Sequence, residues 1–434
     1  MMSTQPDFHL SRGAGFAAPH RLGVMRIGFL FNHDQIHQVA HSLPIAMALA
    51  ETDPTLDIVI ATTNEAFRNE VVRLIRLHQA RGNFHLISLK QKNLLVRGAV
   101  RALNGIIPAA KIAVYRENLD FFRSLDALIV AEKTSAILKT RYGLHGLRLI
   151  HTRHGAGDRA VGFDKASAVF DLVLVSGPKV RDRLIAETGL SAEKLAMIGY
   201  PKFDLVGERA LPAKLRGNGK PTVLYNPHVS PHLSSWYKHG RAVLDFFVGN
   251  PNYNLIFAPH VMLFERKVVI SIDKMRLDWP GTLDSKYRDA PNIHIDLGSA
   301  ASTDMSYTEA ADIYLGDVSS QIYEFLLRPR PCAFLNSQQC DYARDPNFAH
   351  WAAGPVIDDP SQLGATLAVA TTAQRRYRAV QREMFASSID LNEIPSSWRA
   401  ARAVRGFLGL DDILMPAENV VPLPLPDTAS GQAA

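Results

Sequence analysis

Short apolar runs alternate with longer amphipathic stretches along most of the chain, starting at Met25. The first run ends at Phe31 and has the length of a buried strand, and the stretch 36–51 after it has the spacing of a helix with one apolar face. Such alternation is typical of a parallel sheet covered by helices. It predicts strands at 25–31, 56–61, 84–88, 126–131, 147–151, 171–175, 195–198, 222–226, 254–258, 292–295, 312–315 and 331–335.

A break in this pattern at 212–221 gathers proline, glycine and polar residues, as linkers between domains do. Helical stretches at 177–188, 361–386 and 396–409 complete the pattern. We therefore expect an α/β protein with two Rossmann-like domains whose parallel sheets face a central cleft. The predicted organisation is a disordered N-terminal extension (1–24), an N-terminal Rossmann-like domain (25–211), a linker (212–221), a C-terminal Rossmann-like domain (222–386), a C-terminal helix (387–415) and a disordered tail (416–434).

Basic residues are concentrated in one part of the chain. The formal net charge is +6, yet residues 71–116 hold nine Lys and Arg and no Asp or Glu, so the remainder is slightly acidic. A local basic patch predicts a local anionic partner. Few aromatic residues accompany it, which argues against a nucleic-acid partner. The residues that we assign to an anionic membrane surface or polymer acceptor are Lys90, Lys92, Arg97 and Arg101.

Within this patch, 94–103 places apolar and basic residues together at helical spacing, as helices on membrane surfaces do. The alternative is a solvated basic face above a buried apolar stripe. No apolar run is long enough to span a bilayer, and the first residues lack the apolar core of a signal peptide. Translation starts at Met1 or at Met25 in this interpretation.

The two cysteines, Cys332 and Cys340, are too few for a disulfide framework. We expect free thiols in a reducing compartment. Together with the basic patch, this predicts a cytoplasmic protein that lies peripherally on the inner face of the cell membrane.

Polar and charged side chains follow four of the predicted strands at their carboxyl ends. Ligands of parallel α/β sheets bind beyond these ends, where helix N-termini favour anions. Three histidines, His154, His228 and His260, occupy such positions. The other candidates at these ends for binding phosphate or nucleotide are Arg153, Arg159, Asp317, Ser319 and Ser320.

His154 is the strongest catalytic candidate. Gly155 after it permits close backbone approach, and Arg153 and Arg159 flank it with anion-binding groups. A neutral imidazole accepts the proton of a hydroxyl, which transfer to an alcohol requires. A hydrogen-bonded structural role is the alternative for each strand-end histidine. For the Asp317–Ser320 run, capping of the following helix and phosphate binding are both open.

Other familiar site motifs are absent from the sequence. It contains no dinucleotide-binding glycine fingerprint, no P-loop and no nucleophile elbow. His33, His37 and His41 share one face of a predicted helix, where an exposed or cleft-lining polar face is favoured over a metal site. We expect no cofactor and no metal ligands.

Six short motifs occur in a recognisable order between Ile150 and Tyr342, close to half of the chain. They are His151–Gly155, Gly162–Asp164, Gly199–Asp204, Leu224–Pro227, Asp317–Ser320 and Asp341–Tyr342. The order and spacing of their His-Gly, Gly-Tyr-Pro and Asp-x-Ser-Ser cores resemble the CDP-glycerol glycerophosphotransferase family. Enzymes of this family build polyol phosphate polymers of the teichoic acid type and have the two-domain GT-B fold.

The resemblance implies a GT-B-like transferase that moves a polyol phosphate from a CDP-activated donor to a hydroxyl of a membrane-associated glycan or polymer, with release of CMP. It implies that His154 is the general base and that His260 contacts phosphate. Asp317, Ser319 and Ser320 would line the donor phosphates. The remaining residues assigned to the donor are His228, Arg153, Arg159, Tyr200 and Pro201.

Three alternatives stay open at this point. The first is a GT-B glycosyltransferase that uses a nucleotide sugar, because several positions depart from the family motifs, such as Arg153 before His-Gly. The second is an isomerase similar to UDP-N-acetylglucosamine 2-epimerase, which would want acidic residues near the sugar, whereas the candidates here are mainly His and Arg. The third is a catalytically silent nucleotide-binding protein.

Overall fold

The described part of the chain forms two compact units. The first combines the described residues up to 153 with 163–205 and 390–413, and the second combines 157–158 with the described residues of 211–389. This computed structural model describes residues 23–32, 35–89, 109–153, 157–158, 163–205, 211–265, 269–271 and 276–413.

A sheet of seven parallel strands forms the centre of the first unit. Its strands are β1 (Arg26–Phe31), β2 (Asp57–Thr62), β3 (Phe84–Ser88), β4 (Ala127–Val130), β5 (Arg148–Thr152), β6 (Leu172–Val175) and β7 (Leu195–Met197). They pair in the order β3-β2-β1-β4-β5-β6-β7. Every residue of β1 is buried, as expected for a central parallel strand with both faces covered.

Helices cover this sheet, and local sequence sets their ends. The side chain of Asn64 accepts a hydrogen bond from the backbone N–H of Phe67 and caps the helix Glu65–Leu77. Gly189, with φ of 72°, ends the helix Pro178–Thr188 in the left-handed conformation. The α-helices are α1 (Leu43–Thr52), α2 (Glu65–Leu77), α3 (Ala109–Glu117), α4 (Leu119–Arg123), α5 (Ile137–Thr140) and α6 (Pro178–Thr188), and the 3-10 helices are Ile36–His41, Lys133–Ala136, Lys165–Val169, Ala192–Lys194 and Pro201–Leu205.

The second unit contains a six-stranded parallel sheet and a separate two-stranded antiparallel hairpin. Its strands are β8 (Thr222–Asn226), β9 (Asn254–Phe257), the hairpin strands β10 (Val269–Ser271) and β11 (Arg276–Asp278), β12 (Ile293–Ile295), β13 (Ile313–Gly316), β14 (Cys332–Leu335) and β15 (Val356–Ile357). The sheet order is β12-β9-β8-β13-β14-β15. The carboxyl ends of β9, β8 and β13 are therefore neighbours.

The helices of the second unit include a long one that packs on the sheet beside β8. Trp236, Val243 and Phe247 of this helix belong to the same core as Tyr225 and Phe257 of the strands. The α-helices are α7 (Trp236–Gly249), α8 (Ser285–Asp289), α9 (Ser306–Ala310), α10 (Gln321–Phe325), α11 (Leu363–Thr372) and α12 (Gln374–Ser388), and the 3-10 helices are Ala213–Leu215, Ala300–Ser302, Pro346–Ala353 and Pro360–Gln362.

The last helix, α13 (Ser396–Leu408), belongs to the first unit. Ala400, Ala401 and Val404 lie in the same buried cluster as the residues of α1. Arg405 pairs with Asp53 at the end of α1, at 2.6 Å between Nη1 and Oδ2. The segment that we predicted as a separate C-terminal helix thus completes the core of the N-terminal sheet.

The predicted α/β architecture with two parallel sheets is confirmed. Most of the predicted N-terminal extension and the whole predicted tail lie outside the described residues. Among the described helices, none is long and apolar enough to cross a bilayer. Both cysteines are free thiols, and burial raises the pKa of Cys332 and of Cys340.

Candidate functional site

Two Pro-His turns lie side by side at the carboxyl edge of the second sheet. His228 follows β8 and His260 follows β9, and these strands are neighbours. The backbone N–H of His260 donates to the carbonyl of Pro227 at 3.0 Å, which joins the two turns. The two imidazole rings lie 5.9 Å apart between centroids. The sheet thus brings together two of the three strand-end histidines that the sequence singles out.

The backbone around these histidines determines which ring nitrogen carries the proton. Nδ1 of His228 accepts from the N–H of Ser230 at 2.9 Å, and Nδ1 of His260 accepts from the N–H of Met262 at 3.3 Å. Burial lowers the pKa of His260 to about 4, so this ring is neutral at physiological pH. A neutral ring whose Nδ1 accepts carries its proton on Nε2. The two half-buried rings therefore supply Nε2–H groups, which suit phosphate oxygens.

Asp317 organises the loop between β8 and α7. Its carboxylate accepts from the N–H of His228 at 2.9 Å and from the N–H and hydroxyl of Ser235 at 2.6 and 2.7 Å. It also accepts from the N–H of Val318 at 2.6 Å. Burial raises the pKa of Asp317 to about 6, although these bonds act in the opposite direction. Because the side chain is fully buried and satisfied, it supports the site, and this replaces the expectation that it lines donor phosphates.

The two serines after Asp317 lie in the turn between β13 and α10. The hydroxyl of Ser319 accepts from the N–H of Gln321 at 3.3 Å, a local bond at the start of the helix. Ser320 is exposed, and its side chain makes no capping bond. The capping alternative therefore describes Ser319, whereas the Ser320 hydroxyl faces solvent.

Arg153 lies just beyond β5 in the first unit. Its guanidinium stands over the ring of Phe163 at 4.5 Å, and Arg183 stands over the same ring at 4.4 Å. Burial lowers the pKa of Arg153 to about 10, so the group stays charged at neutral pH. This stacking fixes a half-buried positive charge at the carboxyl edge of the first sheet.

The Gly-Tyr-Pro motif packs against the start of α13 in this structure. The N–H of Tyr200 donates to Ser396 Oγ at 2.9 Å, and its buried ring packs edge-on against His41 and Phe203. Pro201 is buried at the start of a 3-10 helix. The expectation that Tyr200 and Pro201 contact the donor is therefore replaced by a packing role. The expectation of a polar exposed or cleft-lining face is also wrong for His41, which is buried against Tyr200.

Six of the predicted site residues lie outside the described part of the chain. They are the base candidate His154, the neighbouring Arg159 and the patch residues Lys90, Lys92, Arg97 and Arg101. Their assignments stay predictions.

The structure also adds residues that sequence reasoning missed. The hydroxyl of Ser235 donates to the carboxylate of Asp317. A buried pair of Asp158 and His350 contacts the turn that begins at Asp317. Asp158 lies in the stretch around His154, so the sequence motif pointed to its region, whereas His350 follows no motif. Partners so far apart in sequence become visible only when the fold is known.

Comparison with known proteins establishes the fold. No protein-family model matches the chain, and a search of curated proteins also finds no match. The wall teichoic acid polymerase TagF superposes with a TM-score of 0.57 at 12% identity, over 89% of this chain and 89% of that chain. The UDP-GlcNAc 2-epimerase from Neisseria meningitidis, bound to UDP-GlcNAc, gives 0.53 at 12% identity, over 88% and 99% of the two chains.

A co-structure of S. aureus MnaA with UDP gives a TM-score of 0.53 at 12% identity, over 89% of this chain and 98% of that chain. At such identities the likeness shows the fold. The chain therefore has the GT-B-like α/β fold predicted from the sequence, and TagF is among the proteins that share it.

Proposed function

We propose that the protein is a GT-B transferase that moves a polyol phosphate, such as glycerol phosphate, from a CDP-activated donor to a hydroxyl of a membrane-associated glycan or polymer. The observation that carries the proposal is the pair His228 and His260, whose Nε2–H groups lie at the carboxyl edge of the second sheet. Fixed N–H donors stabilise the charge that develops on phosphate oxygens. The same-fold structures of a teichoic acid polymerase and of enzymes with UDP or UDP-GlcNAc support a nucleotide-activated donor.

The proposed reaction is a displacement at the phosphorus that carries the polyol. The acceptor oxygen forms a bond to this phosphorus, and the bond from the phosphorus to the bridging oxygen breaks. The bridging oxygen leaves with CMP, and the proton of the acceptor hydroxyl goes to His154, the base that the resemblance implies. His228, His260 and the hydroxyls of Ser319 and Ser320 bind donor phosphates in this proposal, and Arg153 and Arg159 add positive charge.

The isomerase alternative is less well supported by the described residues. Epimerisation needs a group that removes a proton from the sugar, and Asp317 is the carboxylate bonded to the His228 turn. Its oxygens are already occupied by the N–H groups of His228, Ser235 and Val318. The histidine donors at this edge suit phosphate binding in transfer.

His154→Ala tests the proposed base. With CDP-glycerol and a hydroxyl acceptor, we expect turnover to fall by about 100- to 10,000-fold, the usual contribution of general base catalysis. Donor binding, measured by calorimetry, should change little. Full residual turnover of the variant would overturn the assignment of His154.

The membrane part of the proposal rests on the basic patch in the sequence. Each Lys or Arg near an anionic membrane contributes about 1 kcal/mol of binding free energy. Replacement of Lys90, Lys92, Arg97 and Arg101 by Gln should reduce co-sedimentation with anionic vesicles. Equal binding of the wild-type protein to neutral vesicles would contradict this part.

A further inference from the structure

A buried histidine–carboxylate pair, His350 and Asp158, lies in the second unit. Nδ1 of His350 is 3.1 Å from Oδ2 of Asp158, and the two side chains are 3% and 2% exposed. The hydroxyl of Tyr323 donates to both carboxylate oxygens of Asp158, at 2.8 and 2.7 Å. The carboxylate is thus held on two sides, by an imidazole and by a phenol.

The other ring nitrogen of His350 reaches the candidate site. Nε2 lies 2.9 Å from the backbone carbonyl oxygen of Asp317, and Nε1 of Trp351 donates to the same oxygen at 2.8 Å. A carboxylate and a carbonyl can only accept hydrogen bonds. The Nε2–H of His350 therefore donates to the Asp317 carbonyl, and Nδ1 faces the carboxyl group of Asp158.

The pair also fixes the segment that follows His154 in the sequence. Asp158 stands four positions after His154, and a side chain at Gly157 would place its Cβ 3.1 Å from Cβ of Ser320. Residues 157–158 thus pack directly on the turn that carries Ser319 and Ser320. The hydrogen bond from Ser235 to the Asp317 carboxylate fixes one side of this turn. The hydrogen bond from His350 to the Asp317 carbonyl and the packing of Gly157 on Ser320 fix the other side.

A purely structural explanation fits this arrangement poorly. A buried histidine–carboxylate pair contributes little net stability compared with apolar residues of the same volume, because its polar groups lose their hydration. The pair instead contributes a defined geometry, since each hydrogen bond fixes one atom at one distance. Here the fixed atom is the Asp317 carbonyl, at the start of the proposed phosphate turn.

We infer that His350 and Asp158 are positioning residues that hold the Asp317–Ser320 turn in the geometry that binds the donor phosphates. The inference rests on the proposed function, because it assigns the turn to phosphate. Neither side chain needs to touch the substrate. His350 acts through the carbonyl of Asp317, and Asp158 keeps the ring oriented.

The test compares three variants of the full chain. His350→Phe removes both hydrogen bonds at similar volume, and Asp158→Ala removes the partner of Nδ1. Asp158→Asn is the rescue variant, because its amide N–H can donate to Nδ1 while Nε2–H still donates to the Asp317 carbonyl. His85→Phe is the control for losing a more exposed histidine–carboxylate pair elsewhere, with Asp57 at 2.9 Å in the first unit.

Hydrogen exchange tests the geometry without any substrate. Amides of 317–320 should exchange at least tenfold faster in His350→Phe and Asp158→Ala, and at the wild-type rate in Asp158→Asn and His85→Phe. Unchanged exchange in both disruptive variants would overturn the inference.

Kinetics with CDP-glycerol then separate positioning from stability. We expect kcat/KM for the donor to fall by about 100-fold in His350→Phe, the effect of a misplacement of about 1 Å. The donor KM should rise, and the acceptor KM should stay constant. A loss of folded enzyme alone would lower kcat and leave both KM values unchanged, which would contradict positioning. If the wild type uses no nucleotide donor, the proposed function is wrong. The exchange rates of 317–320 still test whether His350 and Asp158 fix the geometry of this turn.

Discussion

The carboxylate of Asp317 accepts two hydrogen bonds from one residue, Ser235, through the backbone N–H at 2.6 Å and the hydroxyl at 2.7 Å. Asp317 follows β13 and Ser235 precedes α7, so this contact joins the loops of two neighbouring strands. The same carboxylate holds the N–H of His228. The position of a candidate phosphate ligand therefore depends on a residue that does not contact solvent.

Loss of this carboxylate should destabilise the protein strongly. Asp317→Ala leaves buried N–H groups of His228, Ser235 and Val318 without an acceptor, each at a cost of about 1–3 kcal/mol. We expect the free energy of unfolding to fall by at least about 3 kcal/mol in urea titrations. Asp284→Asn, at the exposed cap of α8, is the control and should change it little. Equal stability of Asp317→Ala and wild type would contradict the account.

The two Pro-His turns make a separable prediction for binding. Asn at position 228 or 260 keeps an acceptor near the place of Nδ1 and removes the Nε2–H group. Each variant should bind CDP-glycerol about tenfold or more weakly, since a hydrogen bond to a charged group contributes about 1.5–3 kcal/mol. His239→Asn on α7 is the same substitution outside the turns, and calorimetry should show wild-type affinity for it. Unchanged affinity of both turn variants would remove these histidines from the donor site.

His260 also predicts a pH dependence of stability. Its pKa is lowered by burial from 6.5 to about 4 on folding, so the folded state binds this proton more weakly than the unfolded state. Stability contributed by the neutral ring is therefore lost as the pH falls from 6.5 towards 4. The difference in unfolding free energy between wild type and His260→Asn should rise from pH 4 to about 6.5 and then stay level. A difference that stays constant with pH would show that burial does not lower the pKa of His260.

The sequence predicted the strands well, because each parallel strand is a short apolar run buried on both faces. It did not predict the hairpin Val269–Ser271 and Arg276–Asp278, although the first of these strands lies in a short apolar run, and it did not predict β15, which has two residues. The stretch 361–386 forms two helices, α11 and α12, where one was predicted. Strand ends correctly indicated that His228 and His260 meet. The roles of Asp317 and Tyr200 depend on partners far away in sequence, Ser235 and Ser396, which periodicity cannot reveal.

Gly199 tests whether the Gly-Tyr-Pro motif packs or binds. Its φ is 80°, and an added Cβ would lie 2.5 Å from Ser396 Oγ and 2.7 Å from the carbonyl oxygen of Asp390. Gly189 has φ of 72° and nothing within 4 Å, so Gly189→Ala measures the backbone strain alone, about 1–3 kcal/mol.

Gly199→Ala should lower the free energy of unfolding by a further 1–3 kcal/mol or so, because the clash displaces α13. At temperatures where the variant is folded, its affinity for CDP-glycerol should equal that of the wild type. A weaker affinity in the folded variant would indicate that the motif does contact the donor.

The reaction products of the wild-type chain test the central claim most directly. The protein is incubated with a hydroxyl acceptor and either CDP-glycerol or UDP-GlcNAc, and CMP, UDP and epimerised sugar are separated by chromatography. The account predicts release of CMP from CDP-glycerol in step with phosphoglycerol on the acceptor, and no epimer from UDP-GlcNAc. Release of UDP or formation of epimer, with CDP-glycerol left intact, would contradict it.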